Sequence, residues 1–257
     1  MTIDNNWDRH WKDFHGALLL NPATAWRNNM IINLLAIKPS EEADSRIIDL
    51  GCGLGQLASQ IIKAHPNSQI LGIDGSEEGL LHARQNNIGS VKFVAADLAG
   101  DLKGLESLQG WATHAVCSEV LEHLTDPLGF LKNSRFFLRN HSKLIVTVPG
   151  GPRTNFDVHI GHIRHYRVDS LHLLLEEAGY KVHMVFSTGF PFFNLYKFVI
   201  LVLGRRFTKD VSSWTEPNSL AKIISTIAAK SFEFSLPTCN WGWQVVAIAS
   251  KGSSDTA

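Results

Sequence analysis

The run Ile47-Ile48-Asp49-Leu50-Gly51-Cys52-Gly53-Leu54-Gly55-Gln56-Leu57 reads as a strand, a glycine turn and a helix start. Glycines let a backbone bend sharply and come close to a ligand. Their spacing is G-x-G-x-G with glutamine at position 56, whereas the fingerprint that holds a dinucleotide pyrophosphate is G-x-G-x-x-G, so the turn argues against NAD. Asp74 ends the next apolar run, about twenty residues on, where a carboxylate can accept both hydroxyls of a ribose. Asp97 ends the third, in Ala95-Ala96-Asp97-Leu98, in position to meet the edge of an adenine ring. Taken singly these are a structural turn, a solvated aspartate and an N-cap. At three successive strand ends they point to a nucleoside ligand on the carboxyl edge of a parallel sheet.

A fourth apolar run ends at Cys117-Ser118 and delivers Glu119, Glu122 and His123 to the same rim. Two carboxylates and an imidazole can take a proton from a hydroxyl, or hold Mg, Mn or Zn. A helix start also collects glutamates for its dipole alone. Beyond the turn Pro149-Gly150-Gly151-Pro152 comes Asp157-Val158-His159-Ile160-Gly161-His162-Ile163-Arg164-His165-Tyr166-Arg167, expected as a loop over the site. His162 could serve there as a general base or a metal ligand, or be bonded to backbone beside a packed Tyr166. Arg164 and Arg167 could meet an anionic group.

These residues need a scaffold that brings strand ends together. Ile47–Leu50, Ile70–Ile73, Val91–Ala95, Ala115–Cys117 and Leu144–Val148 are short apolar runs separated by helical patterns, and Tyr180–Phe186 and Trp243–Ala249 add two more strands. Buried runs alternating with helices imply a doubly wound, mostly parallel α/β sheet. Ala23–Ile37 has helical spacing after Asn21-Pro22, and Trp7, Trp11 and Phe14 imply a helix upstream. Ser76 can cap one helix and Asp126-Pro127 opens another; Asp169-Ser170 opens a third that ends at Gly179. One domain over 1–257 is expected: a helical cap at 1–45, a core at 46–188, a helical insertion or lid at 189–240 and a last strand at 241–250. Within the insertion, helices are expected over Phe192–Leu203 and Ser219–Phe232.

Asp49-Leu50-Gly51-Cys52-Gly53-Leu54-Gly55, Gly72-Ile73-Asp74, Ala96-Asp97-Leu98 and Ser118-Glu119-Val120-Leu121-Glu122-His123 resemble the successive motifs of class I S-adenosylmethionine-dependent methyltransferases, over about Ile47 to Tyr180. The resemblance implies a Rossmann-like seven-stranded sheet with a reversed last strand. It also implies S-adenosylmethionine, leaving as S-adenosylhomocysteine, held by Asp49, Gly51, Cys52, Gly53, Gly55, Asp74, Gly75, Asp97, Leu98 and Ser118. The subfamily pattern is similar to the ubiquinone-biosynthesis type O-methyltransferases, in which an arginine upstream of the first strand holds the cofactor carboxylate; Arg27 is similarly placed. Glu119, Glu122 and His123 resemble the divalent-metal cluster of those enzymes and of small-RNA 2'-O-methyltransferases. Similar enzymes carry these letters without metal, so a divalent ion is possible but no metal site is assigned. Gly161-His162-Ile163-Arg164-His165-Tyr166 resembles a turn of methyltransferases that accompany sugar- and lipid-modifying enzymes.

The expected activity is methyl transfer to a small-molecule acceptor, a hydroxyl, with His123, His162 or Glu119 as the catalytic group. Lys plus Arg equals Asp plus Glu at 24 each, which weighs against the alternative of an RNA 2'-O-methyltransferase. A non-catalytic cofactor-binding partner subunit is the other alternative. The polar, acidic N-terminus and an odd count of three cysteines lead us to expect a cytoplasmic protein. The apolar run Phe190–Leu203, about fourteen residues against the ~20 that span a bilayer, is not a transmembrane helix. With Lys197, Arg205 and Arg206 it could lie on a membrane surface.

Overall fold

The computed structural model describes Trp7, Asp8, Trp11 and residues 21–86, 91–211 and 219–252, with backbone alone at residue 156 and at 203–211 and 219–225. Phe14 and the side chains of Arg205 and Arg206 lie outside the described residues. One sheet contains β1 (Arg46–Leu50), β2 (Gln69–Asp74), β3 (Val91–Ala95), β4 (Ala112–Ser118), β5 (Leu138–Pro149), β6 (Tyr180–Thr188) and β7 (Gln244–Lys251). Their order is β3-β2-β1-β4-β5-β7-β6. The first five pair in parallel, while β7 runs antiparallel to both β5 and β6. The order reverses between β1 and β4, and a doubly wound sheet opens its ligand crevice at that point. Asp49 and Ser118 stand at the two strand ends that flank it.

Helices α1 (Pro22–Leu35), α2 (Gln56–Ala64), α3 (Glu77–Gln85), α4 (Pro127–Ser134), α5 (Asn155–His159), α6 (Val168–Glu177), α7 (Phe192–Val211) and α8 (Ser219–Phe232) surround the sheet. Asn21 caps α1 through its side chain, which accepts from the Ala23 N–H, with Pro22 in the first turn. On one sheet face Ile31 and Leu35 of α1 pack with Ile47, Ile61 and Ile145. On the other, Leu131, Phe137, Leu171 and Leu175 pack with Leu50, Leu144 and Val146. Apolar side chains on both sheet faces explain why the strands read as unbroken apolar runs.

Several boundaries differ from expectation. Strand β5 starts at Leu138, not Leu144, because Arg139, Asn140 and His141 are exposed and break the apolar run, although the strand already pairs with β4 at Ala112. Helix α6 starts at Val168: Ser170 Oγ accepts from the Arg167 N–H and replaces the expected cap. The loop over the site contains α5, and α7 continues beyond Leu203 to Val211.

The insertion packs on α1. Trp26 stacks on Phe193 with ring centroids 5.0 Å apart and meets Phe232 edge-on at 5.9 Å. The Tyr196 hydroxyl donates to Asn21 Oδ1 at 3.2 Å. Leu195, Phe198, Val199 and Val202, one helical stripe, stay exposed. Among the described residues no helix is long and apolar enough to cross a membrane. Phe232 is the buried centre of the contact with α1, so Phe232→Ala should lower stability by about 3–5 kcal/mol, the cost of a large core truncation. Urea unfolding measures it; a loss below about 1 kcal/mol would show that the insertion is not anchored through this residue.

Candidate active site

The glycine turn is built by hydrogen bonds to β2. Gly51 and Cys52 N–H both donate to the Ile73 carbonyl, at 2.8 and 3.0 Å. Asp74 Oδ2 accepts from the Gly53 N–H and Oδ1 from the Ser76 N–H, each at 2.8 Å. The carboxylate therefore braces the turn, and each oxygen keeps a lone pair for a ligand hydroxyl. Gly53 has φ +49°, and a Cβ there would lie 2.7 Å from the Trp11 ring. Gly55, φ +69°, starts α2, and a Cβ would strike Ala83 and Phe93 at 2.9 Å, so this glycine lets helix and strand meet. Cys52 and Leu98 are buried and Gly75 is exposed. Asp97 is exposed and its Oδ1 accepts from the Ala99 N–H at 2.9 Å, which makes it a turn residue rather than a helix cap.

The N-terminal tryptophans reach the same place. Trp11 lies over Gly53 and Gly79, and Asp8 Oδ1 accepts from Ser76 Oγ at 2.5 Å and from the Glu78 N–H at 3.2 Å. Trp7 meets the His123 ring edge-on at 4.8 Å. Trp11 thus touches the glycine turn and Trp7 the histidine cluster.

The carboxylates differ in how they are balanced. Asp49 is buried with Oδ2 unbonded; burial first, then Asp74, lift its pKa to about 7, against the Ala58 N–H that lowers it. Burial also raises Asp74, although its backbone donors pull the other way. Glu119 sits at φ +57°, a conformation non-glycine residues rarely hold outside functional or constrained sites. Its Oε2 pairs with Arg27 at 3.4 Å, and its Oε1 accepts from Gln244 Nε2 at 3.0 Å. Arg27 Nε, buried, has no hydrogen-bond partner. Ser118 Oγ accepts from Thr147 Oγ1 at 2.9 Å.

Glu122 is fully buried and neither carboxylate oxygen has a hydrogen-bond partner. Burial, and then Glu119, push its pKa well above the ordinary carboxylate range. Its nearest ionic neighbour is His123 Nε2, at 3.9 Å. Donor atoms of Glu122, His123 and His162 lie within 4.8 Å of one another, and so do those of Asp157, His162 and His165. Burial, and next His123, lower the His162 pKa to about 2, so this ring is neutral. Lys197 of the insertion binds Asp157 at 3.2 Å and offsets the effect of burial, leaving that carboxylate ionised.

A family model described as "Methyltransferase domain" matches residues 26–185, which includes β1 to β5, the glycine turn and the whole carboxylate cluster. The chain belongs to the methyltransferase-domain family. Trans-aconitate 2-methyltransferase of Acidovorax ebreus is 41% identical over 73 residues, 28% of each chain. A malonyl-acyl-carrier-protein O-methyltransferase of Bacillus cereus is 33% identical over 69 residues, 26% of each. These matches therefore span little more than a quarter of the relatives' own length. Among solved structures, the cyclase SpnF superposes with a TM-score of 0.57 at 16% identity, covering 87% of this chain and 81% of that one. Phosphoethanolamine N-methyltransferase 2 of Haemonchus contortus, in complex with S-adenosylmethionine, gives 0.53 at 14% identity, covering 81% and 49%. Such likenesses establish the seven-stranded methyltransferase fold. A cyclase on the same fold shows that the reaction must be argued from the site.

In this methyltransferase domain the structure brings Arg27, Glu119, Glu122, His123 and His162 to the crevice together with the glycine turn. Arg164 and Arg167 are committed elsewhere: Arg164 donates to the Thr125 carbonyl, and Arg167 pairs with Asp169 in solvent. Sequence reasoning missed Trp7, Trp11 and Gln244, which reach the site only through tertiary packing. The insertion at 189–240 lies against α1 and α5, and Trp11 stands over the glycine turn at Gly53.

Asp49 yields a pH test. The folded protein keeps this proton until about pH 7, while an unfolded aspartate releases it near 3.8. Between those values folding takes up a proton, so stability falls as pH rises and is flat above. The stability gap between Asp49→Asn and wild type should widen in favour of the variant from about pH 4 to about pH 7. Urea midpoints read it; a gap independent of pH would show that Asp49 ionises normally.

Proposed function

We propose that the protein transfers the methyl group of S-adenosylmethionine to a hydroxyl oxygen of a small-molecule acceptor. The observation that carries this reading is the buried, unpartnered Glu122 carboxylate beside His123 and His162, at the strand ends that flank the glycine turn. A buried carboxylate without a donor lacks a hydrogen-bonding partner, and an acceptor hydroxyl supplies one. In this reading Asp74 receives the ribose hydroxyls through its remaining lone pairs, Asp97 faces the adenine, and Arg27 Nε donates to the cofactor carboxylate. Asp49, Gly51, Cys52, Gly53, Gly55, Gly75, Leu98 and Ser118 form the walls.

Methyl transfer is an in-line displacement, so the site mainly aligns donor and acceptor and removes one proton. The acceptor oxygen forms a bond to the methyl carbon as the carbon–sulfur bond breaks, its electron pair passing to sulfur to leave S-adenosylhomocysteine. The hydroxyl proton goes to the ionised form of Glu122, which its raised pKa makes a stronger base than an ordinary carboxylate, with His123 and His162 as neighbouring acceptors. Glu119, held by Arg27 and Gln244, orients Arg27 and is a weaker candidate for the proton.

The same donors also fit a divalent cation, because the Glu122 oxygens are unsatisfied and two imidazoles stand beside them. Glu122, His123 and His162 would hold it, and it would polarise the acceptor oxygen. The letters Glu119, Glu122 and His123, with Arg27, are what supports a ubiquinone-type O-methyltransferase as the finer reading. An O-methyltransferase among the relatives supports oxygen as the target, and trans-aconitate and malonyl-acyl-carrier-protein methyltransferases support a small or carrier-borne acid. Partial matches to a 23S rRNA methyltransferase of Pseudomonas putida, over 24% of its length, are weighed against by the neutral charge balance.

Two substitutions divide the reading. Asp74→Ala should weaken S-adenosylmethionine binding about 10–100-fold, the cost of hydrogen bonds to a charged group. Calorimetry showing unchanged affinity would rule out the ribose assignment. Glu122→Gln should leave that affinity intact and lower kcat about 100-fold or more with radiolabelled methyl donor and a panel of hydroxyl and carboxylic acid acceptors. An undiminished kcat removes Glu122 as the base, and turnover that survives chelator excludes a required cation.

A further inference from the structure

The pairing of His162 with His165 determines which nitrogen of His162 is available to the site. His165 Nδ1 lies 3.1 Å from the Gly151 carbonyl oxygen. A carbonyl only accepts, so this nitrogen carries the proton. The His165 side chain is 6% exposed, and burial favours the neutral form of an imidazole, which leaves its lone pair on Nε2. That atom is 3.2 Å from His162 Nδ1. Two lone pairs cannot share a hydrogen bond, so His162 Nδ1 must donate. The Asp157 carboxylate stands 3.8 Å from His162 Nδ1 and 3.8 Å from His165 Nε2, so it faces the shared proton without choosing between the two rings, and the anchor on Gly151 decides. His162 is itself neutral, and its one remaining lone pair is on Nε2. The ring meets His123 edge-on at 4.7 Å.

We propose that His165 is a positioning residue, anchored on the Gly151 carbonyl, that holds His162 as its Nδ1–H tautomer and so presents an unprotonated Nε2 to the Glu122–His123 cluster. An unprotonated Nε2 can accept from an acceptor hydroxyl or bind a cation; an N–H at the same place could do neither. The anchor reaches back to the antiparallel strand. Gly151, φ +71°, is packed so closely under Trp243 that a Cβ would lie 2.6 Å from the indole, and Gly150 N–H donates to the Trp243 carbonyl at 2.9 Å. The segment leading into β7 thereby holds the carbonyl that orients His165. Asp157, which faces the proton between the two rings, is held by Lys197 of α7. The consequence for turnover rests on the methyl-transfer reading; the tautomer does not.

The test is nitrogen-15 NMR of the full chain labelled at histidine, with His162 assigned by its loss in His162→Gln. Wild type should show a protonated Nδ1 and an unprotonated Nε2 at His162, a result that needs no variant to fold. In His165→Phe the Nε2-protonated form should appear, with turnover down about 10–100-fold and cofactor affinity unchanged. His165→Gln, whose amide can donate to Gly151 and accept from His162, should restore both tautomer and turnover. A wild-type spectrum with Nε2 protonated, or an unchanged tautomer in His165→Phe, overturns the proposal. Should the tautomer be observed in a protein that methylates no acceptor, the methyl-transfer reading fails and the positioning role of His165 stands.

Discussion

Four carboxylates converge where the strand order of the sheet reverses, and the apolar layers on both faces leave little water to stabilise them. Desolvating an ionised carboxylate costs several kcal/mol unless it is paired, hydrogen-bonded or protonated. Each of the four meets that constraint differently. Asp74 is satisfied by backbone N–H groups of the turn it braces, Glu119 by Arg27 and Gln244, and Asp49 by keeping its proton up to about pH 7. Glu122, with no hydrogen bond to either oxygen, is pushed by burial well above the ordinary carboxylate range and meets it by holding its proton. The place where the fold supplies no donor to a buried carboxylate is the place where an acceptor or a cation has most to offer.

The elements outside the parallel core serve this cluster. Helix α1 carries Arg27 to Glu119 and is held from behind by the aromatic contact of Trp26 with Phe193 and Phe232. Helix α7 supplies Lys197 to Asp157, and β7 contributes Gln244 to Glu119. The insertion therefore reaches the site through Lys197 and through the aromatic support it gives α1. Trp7 and Trp11 lie against His123 and across Gly53, and Asp8 bonds beside them at the N-terminus of α3.

Much of this was legible along the chain. The alternation of buried runs and helical patterns located the seven strands, with the largest error at β5, where Arg139 to His141 extend the pairing in solvent and leave no apolar signal. Gly53 and Gly55 were legible because positive φ and close backbone approach select one residue type locally. Asp74 followed from its distance to them. The placement of Arg27 near the cluster was anticipated from resemblance alone, whereas the contact of Phe193 and Phe232 with α1 had no signal along the chain that set them apart from the exposed Phe192 and Phe198.

Local periodicity and the steric demands of a glycine turn depend on residues a few positions apart, so the order of the elements, the turn and its first acidic partners could be read directly from the chain. The partners of Glu119, the isolation of Glu122, the arrival of Trp11 over Gly53 and the proton on His162 depend on groups brought together from distant segments. Their distances and burial arise only when the sheet closes and the helices dock, and no spacing along the chain encodes which carboxylate finds an arginine and which is left without a donor.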